Sequence, residues 1–120
     1  MKHRLWYDDN VDIIFLEFEG DYLSTDVPQV RAKMFELLEG KPLRQAVIEL
    51  SSKYKVENRK TRELANKALI DGKITHVAFW GGNAANRMIA KVMIKTGGLK
   101  IKGNFLKTKD DAINWILNQR

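Results

Sequence analysis

Cysteine is absent from these 120 residues, which excludes disulfides, cysteine metal ligands and a thiol nucleophile. Histidine is scarce, and His3 and His76 are too few and too far apart to suggest a zinc site. No apolar run approaches the roughly 18 residues of a membrane-spanning helix, and no basic-then-apolar leader opens the chain. A cytoplasmic protein is therefore the expectation. Repeats, low-complexity tracts and linkers are missing too, so residues 1–120 read as one domain, long enough to bury a core. One further absence is local. No acidic residue lies between Asp71 and Asp110, while Lys73, Arg87, Lys91, Lys95, Lys100, Lys102, Lys107 and Lys109 all do.

What is present is the composition of a soluble globular chain, 44% hydrophobic and 30% charged. Its charge is unevenly placed. Residues 1–50 hold 6 Lys/Arg against 10 Asp/Glu, and residues 51–120 hold 15 against 5. Such polarity favours an acidic partner, a phosphate-bearing ligand or a membrane surface. The competing reading is a solvated lysine-rich face.

"RLWYDDNVDIIFLEFEG" predicts two short strands around a turn at Asp8-Asp9-Asn10. Val11, Ile13 and Phe15 alternate with Ile14, Leu16 and Phe18, so the second strand belongs in a sheet covered on both sides. "STDVPQVRAKMFELLEG" switches to helical spacing, with Val27, Val30, Met34, Leu37 and Leu38 on one face, Pro28 in the first turn and Gly40 as a stop. "QAVIEL" reads as a buried strand. "VENRKTRELANKALIDG" reads as a helix with Leu64, Ala65, Ala68 and Leu69 inward and Gly72 closing it. "THVAFW" is the next strand. A third helix follows with Ala85, Met88, Ile89, Val92 and Met93 inward and Gly97-Gly98 as its stop. "LKIKGNF" is a last strand with Leu99, Ile101 and Phe105 inward, and Thr108 with Asp111 fits an acidic capping box before "DAINWILNQR". The expected fold is α/β: one compact domain with a mostly parallel, mixed sheet of about five strands and about four helices.

This order, with "AVIELSSKYKVENRKTRELANKAL" in the middle and "FLKTKDDAINWIL" at the end, resembles the anti-sigma-factor antagonist family, the STAS domains. It is most similar to the small bacterial SpoIIAA-like proteins, whose fold is shared in outline with lipid-binding CRAL-TRIO domains. The resemblance spans nearly the whole chain and implies STAS/SpoIIAA-like topology and a binding or regulatory role without catalysis. In the regulatory STAS proteins, an aspartate-serine pair opens the helix after the strand matching "VIEL", and a partner kinase phosphorylates the serine. That pair falls here on Glu57 and Asn58, and asparagine cannot be phosphorylated. Ser51, Ser52 and Thr61 are the nearby hydroxyls, and loop serines are ordinary turn formers.

Two candidate sites follow. The loop and first helical turn carrying Ser51, Ser52, Tyr54, Glu57, Asn58, Arg59 and Thr61 form the expected protein-interaction surface, with an acidic protein as one partner chemistry. The second site is in "FWGGNAANRMIAK". Gly81 and Gly82 let a ligand approach the backbone, Asn83 caps a helix and Arg87 lies one turn on, an arrangement that suits a small anionic or lipid-like ligand. Gly-Gly-Asn is equally what a tight strand-to-helix turn requires. A pocket lined by Trp80, Met88 and apolar neighbours would favour the ligand reading. Arg87, Lys91 and Lys95 with an exposed Ile94 raise membrane contact, but the apolar face of Met and Ile reads as core and membrane contact is not expected. Nucleic acid is not expected either, since Tyr54 among Lys53, Lys55, Arg59, Lys60 and Arg62 is a thin stacking platform. Glu17 with Glu19, and His76, are the weak catalytic candidates, and no serine sits in a nucleophile elbow. No enzyme activity, cofactor or metal is expected. A homodimer through Trp6, Tyr7 or Tyr22 is a further expectation.

Overall fold

The first turn is set by two aspartates. The Asn10 N–H donates to the Asp8 carboxylate (2.8 Å), the Asp12 N–H donates to the Asp8 carbonyl (2.8 Å), and Asp12 takes φ 55° to re-enter the sheet. β1 (Arg4–Asp8) and β2 (Ile13–Glu17) are thereby paired antiparallel. The computed structural model describes residues 1–50, 59–95 and 101–120. They hold, after β2, α1 (Val27–Leu38), β3 (Gln45–Leu50), α2 (Arg59–Asp71), β4 (His76–Gly81), α3 (Ala84–Lys95), β5 (Lys102–Leu106) and α4 (Lys109–Asn118), with a 3-10 turn at Ser24–Asp26 before α1. The sheet order is β1-β2-β3-β4-β5, and every pairing after the first is parallel.

Sequential parallel strands with crossovers of one hand place α1, α2 and α3 on the same face of the sheet. That face buries Ile14, Leu16, Ala46, Ile48, Leu50, Val77 and Phe79 against Val27, Val30, Met34 and Leu38 of α1, Ala68 of α2 and Ala90 of α3. The chain then turns after β5, and α4 covers the opposite face, packing Ala112 and Ile116 on Ile13, Phe15, Val47 and Ala78. The unbroken apolar run of β2 from Ile13 to Leu16 is what this two-sided cover needs. Thr108 caps α4 by accepting the Asp111 N–H (3.1 Å), which is the threonine half of the expected capping box.

Gly72 follows the last residue of α2, as the sequence predicts, and the positive φ of the turn falls on Lys73 (φ 60°). Two expectations need correcting. The inner face of α3 is rotated from the one that hydrophobic spacing gives. Asn86 is buried, so Ile89, Ala90, Met93 and Ile94 turn inward, while Met88 (66% exposed) and Val92 (52% exposed) face outward beside an exposed Ala85. Tyr22 is buried among His3 and Phe18, where burial pushes its hydroxyl pKa upward. Trp6 and Tyr7 are half-buried: Trp6 stacks on Phe15, and the Tyr7 hydroxyl donates to the Leu43 carbonyl (3.3 Å). Gly97, Gly98 and Leu99 lie outside the described residues.

Candidate functional site

Alanine leaves space where leucine would fill it. Ala46 on β3, Ala65 and Ala68 on α2 and Ala90 on α3 all face the layer between sheet and helices. Around them the structure holds a cavity of about 110 Å³. The sheet supplies its floor through Ile14, Leu16, Ile48, Leu50 and Phe79. α1 supplies Val30 and Met34, and α3 supplies Ile89 and Met93. The walls are almost wholly apolar, and the polar side chains on them are Tyr22, Arg62, Asn66 and Asn86. Arg62 is half-buried and makes no ion pair among the described residues. It stands in the first turn of α2, and Asn86 in the first turn of α3, so the polar groups gather toward the carboxyl ends of β3 and β4. That is the end of an open parallel sheet where ligands are generally held.

The glycine turn lies next to this cavity. Gly81 (φ 73°) and Gly82 (φ 88°) both occupy the left-handed region, and an added Cβ on Gly82 would lie 2.7 Å from the Leu50 Cβ. Leu50 also lines the cavity, so Gly82 lets β4 leave the sheet over that residue. The Asn83 side chain accepts the Asn86 N–H (2.9 Å), and the Asn83 carbonyl accepts the Arg87 N–H (3.0 Å). The first turn of α3 is thus capped by its own asparagine. Arg87 is exposed.

Of the expected interaction surface, Ser51, Ser52, Tyr54, Glu57 and Asn58 lie outside the described residues. Arg59 is exposed and pairs with Glu63 (2.9 Å). Thr61, expected on that surface, is instead fully buried, because α2 turns it toward the sheet on the side of Ala65 and Ala68. The pocket expected at Trp80 and Met88 is not the one the structure holds. Trp80 points to the α4 face and Met88 points outward, so Phe79, Ile89 and Met93 line it instead. The signal missed in the sequence was the set of alanines on facing elements, which periodicity counts only as core.

The opposite face carries Glu17, Glu49 and His76. Glu17 and Glu49 are register partners on β2 and β3, and Glu17 accepts from Arg4 (3.0 Å) and Lys109 (3.2 Å). Burial first, and then the Glu17 charge, hold the Glu49 carboxyl above its ordinary pKa. His76 is hydrogen-bonded through Nδ1 with Thr75 (2.9 Å) and Gln45 (3.3 Å), and burial, then Lys102, lowers its pKa. Among the described residues no cluster of three His, Asp or Glu side chains is placed to hold a metal, and no helix is long and apolar enough to cross a membrane.

The architecture has a solved counterpart. The crystal structure of an uncharacterized protein of the DUF3478 family from Shewanella loihica PV-4, with a SpoIIAA-like fold, superposes with a TM-score of 0.66 over 94% of this chain and 90% of that one. The two are 14% identical. No protein-family model and no curated protein matches the chain. The chain has the SpoIIAA-like fold, as its resemblance to STAS domains implies.

Proposed function

We propose that this chain is a non-catalytic STAS-like binding module that holds a small lipid-like molecule, its apolar part in the cavity and an anionic head at Arg62. The cavity carries the reading. Protein interiors pack like organic crystals with few voids larger than a water molecule. An apolar space of about 110 Å³, partly open and walled by Ile, Leu, Phe and Met, departs from that packing and suits an apolar occupant. The charge of Arg62 on its wall, which has no ion-pair partner among the described residues, supplies the preference for an anionic head.

The test is a thermal-shift series with fatty acids and fatty alcohols of graded chain length. A compound at about 100 times its Kd adds roughly 2.7 kcal/mol, a shift of several degrees. The expected pattern is a chain-length optimum, with acids ahead of alcohols. Arg62→Gln removes the advantage of the acids and keeps the response to alcohols. Ala90→Leu fills the cavity from α3, raising the Tm of the free protein and abolishing the shift; Ala65→Leu does the same from α2. Shifts that persist in both filled variants would place the ligand elsewhere and sink the proposal. The protein-interaction reading, through the loop before α2, is tested by capture with an acidic protein and is independent of the cavity.

A further inference from the structure

The outward face of α3 is an amphipathic surface in its own right. Arg87, Lys91 and Lys95 recur every four residues along one side, and the exposed Met88 and Val92 run beside them. The helix contains no acidic residue, and none of the three cations has an ion-pair partner among the described residues. Lys91 is steadied above the Phe105 ring of β5 (5.1 Å). Together Ala84, Arg87, Met88, Lys91, Val92 and Lys95 line a shallow open groove.

We propose that this face of α3 rests on an anionic membrane surface, with Met88 and Val92 entering the headgroup boundary and Arg87, Lys91 and Lys95 against lipid phosphates. Charge selects the occupant first. A second copy of the chain docked through the same face would set three cations against three, which is repulsive. An acidic protein would need a contact of about 800 Å² per partner for a specific complex, and two exposed apolar side chains are a small core for that. A lipid surface needs no such area, because apolar insertion and each nearby cation add separately to binding. The inner side of this helix lines the cavity through Ile89 and Met93, so the cavity wall would lie against the bilayer. The inference stands on the outer face alone and holds whether or not the cavity is filled.

The test is cosedimentation of the intact chain with phosphatidylcholine vesicles, with and without phosphatidylserine. Binding is expected only with phosphatidylserine and is weakened by added salt. Lys91→Gln/Lys95→Gln lowers the affinity about thirty-fold, the effect of two cations near such a surface. Met88→Ser lowers it separately, and Lys33→Gln, an exposed lysine on α1, leaves it unchanged. All these side chains are exposed, so folding is retained, and circular dichroism checks it. Failure to bind phosphatidylserine vesicles overturns the proposal, as does equal weakening by Lys33→Gln. Capture of polyglutamate but not of vesicles by the same lysines also overturns it and gives the face to an acidic protein.

Discussion

Replacing Gly82 by alanine tests whether the glycine turn is required by the packing of the fold. Two effects act together at this position. An L-residue held in the left-handed region costs about 1–2 kcal/mol, and Gly82 sits at φ 88°. The new Cβ would also lie 2.7 Å from the Leu50 Cβ, a backbone-proximal atom that cannot swing away, and overpacking of that kind costs about 1–3 kcal/mol. Alanine stiffens the unfolded chain and returns about 0.4–1 kcal/mol. The net expectation is a loss of roughly 1–4.5 kcal/mol. Gly40 is the control, since it has φ 74° and nothing within 4 Å of an added Cβ, so Gly40→Ala bears the strain alone and loses about 1 kcal/mol or less. Gly81→Ala falls between them, with φ 73° and the Leu50 carbonyl oxygen at 3.4 Å. Urea denaturation of the four proteins measures the order, with equal m-values as the check that the unfolded states match. If Gly82→Ala and Gly40→Ala lose the same stability, the packing argument is refuted. The ranking also bears on ligands. A bulky Gly82 variant loses stability for packing reasons, so an anion site at this turn is better probed by the response of Arg87→Gln to phosphate.

Two further predictions concern the α4 face. Glu49 has a raised folded pKa, so its protonated form favours folding below the unfolded carboxyl value and its charge costs stability as pH rises through the folded value. Glu49→Gln should therefore raise Tm at neutral pH, with the gain vanishing below about pH 4.5, and a pH-independent gain would be contrary to this assignment. Thr108→Ala removes the oxygen that accepts the Asp111 N–H and should cost about 1 kcal/mol in denaturant unfolding, while Thr108→Ser should restore most of it.

Elements were legible in the sequence where one residue pattern answered to one neighbour. The continuous apolar run in β2 announced two covered faces because Ile13 and Phe15 meet α4 while Ile14 and Leu16 meet the other helices. Thr108 announced its helix because a cap is decided within four residues. α3 was misread for the opposite reason. Its most buried positions include a polar residue, Asn86, while Met88 and Val92 are exposed, so a count of apolar spacing keeps Ile89 and Met93 inward but rotates the face. The cavity was not legible because it depends on what faces Ala46, Ala65 and Ala90 from separate elements, and no local pattern reports an unfilled space.

Both misreadings involve α3, the cavity through Ala90, and this joins the two proposals physically. A helix that served only to cover the sheet would bury its largest apolar side chains and present polar ones. α3 turns Ile89, Met93 and Ile94 inward with Asn86 and Ala90, yet also presents Met88 and Val92 among three cations. Leaving those two side chains in water forgoes about 1.5–3 kcal/mol each relative to full burial. Local departures from the pattern that best stabilises a fold are expected where a surface has another task. The departures in α3 fall on both sides of one helix, its inner side toward a space that fits an apolar chain and its outer side toward one that fits an anionic interface. A ligand effect that disappears in Ala90→Leu while vesicle binding persists would show the two sides to be separable, and loss of both together would make α3 a single coupled element.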